Sequence, residues 1–136
     1  MKRFALAAAS LAAAIVFSTP VAATGAPDLK YDDMIHCAGV HMVASTIMGM
    51  NGGDTTNKDT IAKLNKQTAA LMTFAELESK KDSDAVMAEV AAESEKVTGL
   101  TAKGDTGTEY FTTEFKKCND WGVAAVQAID EFTKTK

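Results

Sequence analysis

The sequence predicts an all-α protein, an antiparallel four-helix bundle in up-down-up-down order, preceded by a cleavable signal peptide. Three observations predict it. Apolar residues recur at spacings of three and four in four separate segments, which is the helical period. Glycine, asparagine and aspartate cluster between those segments, where turns belong. No stretch alternates apolar and polar residues long enough to make a strand.

The first element is the leader. Met1-Lys2-Arg3 is a basic start, and Phe4 to Phe17 is an apolar run of 14 residues rich in alanine. Thr19-Pro20-Val21-Ala22-Ala23 then offers small residues, with Val21 and Ala23 at the −3 and −1 positions of a cut after Ala23. That is the layout of a secretory signal peptide. The run is shorter than the roughly 20 residues a membrane span needs, so no stable membrane anchor is expected after cleavage. Residues 1–23 are therefore read as signal peptide and 24–136 as one helical domain, placed in the periplasm or secreted.

Removing Lys2 and Arg3 from a chain of net charge −4 leaves a mature part at −6. Acids and bases are interspersed, and the mature part has no arginine. Nucleic acid as a partner is thereby disfavoured, because it requires clustered Lys and Arg.

The first helix is centred on Tyr31 to Met50, YDDMIHCAGVHMVASTIMGM, with Pro27 or Asp28 able to open it and Asp32 and Asp33 near its positive end. It carries both histidines, one of the two cysteines and four of the seven methionines. Two adjacent stripes, Cys37-Val40-Ala44-Ile47 and Met34-Ala38-His41/Met42-Ser45-Met48, make it apolar nearly all round. Such a helix packs against more than one neighbour. Gly49 to Asp54 ends it. Thr55, Thr56 or Asn57 caps the second helix, whose stripe is Ile61, Leu64, Thr68, Leu71 and Ala75, with Met72 and Phe74 beside it. The helix runs to about Lys80.

Asp82 or Ser83 caps the third helix. Its stripe is Val86, Val90, Val97 and Leu100, with Met87 and Ala91 alongside and Glu89, Glu93, Glu95 and Lys96 facing out. Gly104 is the expected stop. Thr106-Gly107-Thr108-Glu109 then fits a capping box for the fourth helix. There Phe111, Phe115, Cys118, Gly122, Ala125, Ile129 and Phe132 give the cleanest period in the chain, flanked by Trp121 and Val126.

Two cysteines in a chain bound for an oxidising compartment predict a Cys37–Cys118 disulfide. In an up-down-up-down bundle the first and fourth helices are antiparallel neighbours. Cys37 lies 13 residues from Met50 and Cys118 lies 12 from Thr106. At about 1.5 Å per residue the two thiols therefore sit at matched heights.

The candidate functional residues centre on the methionines. Met34, His41, Met42, Met48, Met72 and Met87 could line an adaptable apolar site, with Met50 at the helix end, since methionine fills irregular surfaces. The partner would be a protein, a peptide or a small apolar ligand, and a homodimer would bury the same surface. A competing reading is a haem- or copper-binding bundle. Cys37 and His41 share a face and would suit copper(I), and His41 with Met72 or Met87 could hold a haem. A disulfide would consume that thiolate, and no Glu-x-x-His or Cys-x-x-Cys-His occurs, so no cofactor and no metal are expected. His36, beside Asp32 and Asp33, is either a pH-sensing group or an ordinary polar residue.

Ser45, Ser79, Ser83 and Ser94 lack a nucleophile-elbow context. The acids Asp32, Asp33, Glu76, Glu78, Glu93 and Glu95 read as solvated faces, so no enzyme is expected. The expected role is non-catalytic binding, of the envelope-stress or chaperone-like kind. A structural or immunity-type inhibitor of a secreted partner is the remaining class.

Overall fold

The computed structural model describes residues 29–51 and 57–134. The signal peptide, the cut after Ala23, the opening at Pro27 or Asp28 and the caps at Thr55 or Thr56 lie outside them. The described residues form four helices and no strand: α1 (Tyr31–Asn51), α2 (Lys58–Ser79), α3 (Ser83–Thr101) and α4 (Gly104–Lys134). None of these helices is long and apolar enough to cross a membrane.

α1 is the strut of the assembly. Met34, Ile35, Cys37, Ala38, Val40, His41, Val43 and Ala44 are all buried, which covers every side of its first half. It touches α2, α3 and α4, whereas α2 and α3, joined by a short turn, touch each other least among the helix pairs in contact. α1 and α3 run side by side in the same direction. Tyr31 meets Glu89, His36 meets Glu93, and the end of α1 reaches Thr98 and Thr101.

The other helices bury the stripes their spacing marks out. In α2, Leu64, Leu71, Met72, Phe74 and Ala75 are buried, and in α3 Val86, Val90 and Val97 are fully so. Gln67 is buried as well, which the stripe drawn through Thr68 does not anticipate. In α4, Cys118, Trp121, Gly122 and Ala125 are buried, while Phe111 and Phe115 stack on each other half-exposed. Cys37 and Cys118 form a disulfide that ties α1 to α4 with a Cα–Cα distance of 5.0 Å.

The helix ends separate what local chemistry decides from what it leaves open. Asp82 caps α3, its carboxylate accepting from the Ala85 N–H at 2.8 Å. Asp82→Ala should cost about 1 kcal/mol, read as a lower urea midpoint with an unchanged slope. Lys80, with φ 60°, takes the left-handed position after α2 and donates its N–H to the Glu76 carbonyl.

Two expected ends differ. α4 starts at Gly104 rather than at a Thr106 capping box. Gly104 adopts φ +68°, so it turns the chain and opens the next helix at once, and Thr108 Oγ1 donates to its carbonyl instead. Asn57 sits at the N-cap of α2 without capping it. Its amide donates to the Met48 carbonyl at 3.3 Å, tying the start of α2 to the end of α1.

Candidate functional site

The methionines of the predicted apolar site do not converge. Met34 and Met72 are core residues, 5% and 8% exposed. Met48 is half-buried near the end of α1. Met87 is 48% exposed on the outer side of α3, one residue off the Val86–Val90 stripe, so a haem held between it and His41 has no support in the arrangement. The copper reading fails on chemistry, because the thiolate it requires at Cys37 is spent in the disulfide. Among the described residues no three His, Cys, Asp or Glu side chains group as metal ligands.

What the structure does assemble is a groove between the second half of α1 and the second half of α3. It encloses about 330 Å³. Met42, Val43, Ile47 and Met50 form one wall, and Ser94, Thr98 and Thr101 stand on the other. Met50 is 79% exposed at its mouth.

The hydroxyls of this groove do not make it polar. Thr46 donates to the Met42 carbonyl at 2.9 Å, Thr98 to Ser94 at 2.8 Å, Thr101 to Val97 at 2.8 Å and Ser94 to Ala91 at 2.7 Å. Each donor is spent on its own helix backbone, so what remains for an occupant is largely methyl and methylene surface. Signs of this groove were present in the sequence as Met42 and Met50. Its α3 wall was not legible, because Ser94, Thr98 and Thr101 are polar residue types and nothing local shows that their hydroxyls turn back onto their own helix.

A second cleft runs along the first halves of the same two helices and is acidic. Asp32, Asp33, Glu89 and Glu93 line it with His36 and Lys96. The His36 imidazole bonds Glu93 through Nδ1 at 2.7 Å, and its Nε2 stands 3.6 Å from Glu114. The acids that hold His36 therefore come from α3 and α4, not from Asp32 and Asp33 on its own helix. Glu93, read as a solvated acid, is only 18% exposed for this reason. Near the start of α1, Tyr31 donates to Glu89 Oε2 at 2.7 Å, and Lys81 pairs with the same carboxylate while lying 4.6 Å above the Tyr31 ring. The Lys81 hydrogen bond holds the Glu89 carboxyl below its ordinary range. This cluster pins the start of α1 to the α2–α3 turn.

His41 is the third feature. It is fully buried, and neither ring nitrogen has a hydrogen-bond partner. Phe115 meets the ring edge-on at 6.0 Å between centroids. Gly122 lets α4 come against it, since a Cβ there would stand 2.6 Å from His41 Cε1 and 3.0 Å from Gln67 Oε1. Gln67 Oε1 is itself unpartnered, while its amide nitrogen reaches Asn119 at 3.5 Å. Burial pushes the imidazole down to about 4. The spacing Leu64-Gln67-Leu71 was the sequence signal for a polar group at a core position.

The hydroxyls of Ser45, Ser79 and Ser94 donate to carbonyls of their own helices. Comparison with known proteins finds no matching family model, no matching curated protein and no matching solved structure. The described residues are thus defined by their architecture, a disulfide-tied assembly of four helices, and by the groove between α1 and α3.

Proposed function

We propose that this protein is an exported, non-catalytic binder that takes a small apolar ligand, or the apolar side chains of a peptide or protein, in the α1–α3 groove. The observation that carries this reading is the groove's lining. Methionine and isoleucine face threonines whose hydroxyls are already spent on backbone. Its volume falls at the lower end of ordinary small-molecule sites, roughly 300–1,000 Å³. An exposed methionine at the mouth gives an adaptable contact, and bare apolar surface of this kind is commonly covered in use.

Export to the periplasm or beyond is part of the proposal. The basic start, apolar run and Ala23 of the leader support it, as does a disulfide of the kind that persists in oxidising compartments. The up-down-up-down order belongs to it too. Short turns after α2 and α3 favour antiparallel neighbours, and the common direction of α1 and α3 agrees with that order. A structural or immunity-type inhibitor remains the second reading, supported by Asp32 and Asp33 in the acidic cleft, which would suit a basic partner.

An uncharged naphthylamine dye tests the groove. Its fluorescence should rise on binding, and Ile47→Asp should weaken that binding about tenfold or more by setting a carboxylate in the apolar wall. Met87→Asp, on the outer side of α3, should leave it unchanged. Binding that ignores Ile47→Asp would contradict the proposal.

A further inference from the structure

His41 is more than a core residue with an odd side chain. A neutral imidazole has one donor and one acceptor, and here both are idle. The Gly122 contact leaves no room beside Cε1 for so much as a methyl group. The walls offer no countercharge. From α2 comes Gln67, whose unpartnered Oε1 is a neutral amide oxygen lying against the same glycine. From α4 come Phe115, Gly122 and, beyond Gln67, the neutral Asn119. Cys118 is oxidised and does not titrate. Lys117 on that helix is engaged elsewhere, with Glu114 at 2.9 Å and over the Trp121 ring. The acids of α3 that approach α1, Glu89 and Glu93, are held by Tyr31, Lys81 and His36. His36 is five residues from His41, about 140° around the helix, and faces away from it.

We propose that His41 is an acid-sensitive latch, whose protonation drives α2 and the second half of α4 off α1 while the Cys37–Cys118 bond, one turn from the ring, keeps α1 and α4 tethered. An imidazolium at this position would need solvent or an anion, and the packed walls supply neither, so they must part to admit water. The tether limits the parting to a hinge about the disulfide. The latch is independent of whether the groove binds anything.

The direction follows from burial. The ring's folded value, about 4, lies below its ordinary 6.5. Between these values an unfolded or opened chain takes up a proton that the closed form refuses. The closed form is favoured above pH 6.5, loses ground as the pH falls through that window, and has lost all of this contribution below 4. Linkage makes the full effect about 300-fold in the closed-to-open equilibrium, and roughly 60-fold of it appears between pH 7.0 and 4.5.

The test uses the disulfide-intact chain. Trp121, buried beside Gly122, reports opening through its emission, and urea titrations at pH 7.0 and 4.5 give the equilibrium at each. The wild type should lose roughly 60-fold more over that interval than His41→Gln, which cannot take a proton. Equal losses would overturn the latch. If His41→Gln does not fold, the proton resonances of the wild-type ring decide. They should stay at the neutral position down to the onset of opening. A midpoint near 6.5 in the closed protein would overturn the proposal.

Discussion

The double variant Cys37→Ala/Cys118→Ala will unfold with about 4 kcal/mol less free energy than the parent. The bond joins residues 81 apart, and loop-closure entropy for a loop of that length gives a stabilisation on the order of 4 kcal/mol. Its position adds to that figure. Both sulfurs are fully buried between α1 and α4, so alanine also leaves a small void in the centre of the core. Urea titration of the oxidised parent, the reduced parent and the variant separates the two contributions. The reduced parent loses the constraint and keeps most of the volume, and the variant loses both. A loss below about 1 kcal/mol in both would mean that packing alone holds α4 on α1, with the bond adding little to the order of the unfolded chain.

Gly107→Ala should be the most damaging single added methyl, at about 3 kcal/mol, the upper part of the range for overpacking a filled site. Its Cβ would stand 2.4 Å from the Thr101 carbonyl oxygen and 2.6 Å from that of Leu100. These are backbone atoms at the end of α3. The Leu100 carbonyl also accepts from the Lys103 N–H at 3.4 Å, so it cannot turn aside without loosening the turn. The first turn of α4 would have to lift. Gly99→Ala is the matched control of opposite sign. It meets nothing within 4 Å and lies on an exposed face of α3, so it should gain about 0.5–1 kcal/mol from helix propensity. Thermal melts of the two variants should move apart. A Gly107→Ala melt at or above that of the parent would contradict the close approach of α3 and α4.

The pattern of these sites shows how far periodicity reaches. Spacing identified α1 as apolar nearly all round, which holds for its buried first half, placed Val86, Val90 and Val97 on one face, and paired Cys37 with Cys118, because each depends on a local repeat or on a count of residues. Asp82 was readable as a cap for the same reason. Partner choice was not readable. Glu93 and Glu114 look like any solvated acids until α3 and α4 bring them to His36. The Gly104 turn defeated the capping box because a positive φ at that glycine reverses the chain just after the Ala102 cap of α3 and opens α4 two residues before Thr106. Met87 follows the apolar residue Val86 and sounds like core, yet a step of 100° carries it out of the contact. The groove was half-legible. Its methionines were visible in the sequence, but its threonine wall presents mainly methyl groups because each hydroxyl donor is spent on its own helix.

The most direct test of the groove is the methyl spectrum of the protein with carbon-13 at its methionine methyl groups, titrated with the uncharged naphthylamine probe. Met42 and Met50, which line the groove, should shift with a common saturation curve. Met34 and Met72 in the core, and Met87 on the far side of α3, should hold still. Movement of Met87 with Met42 and Met50 unmoved, or no movement at all up to saturation of the probe, would contradict the binding site proposed between α1 and α3.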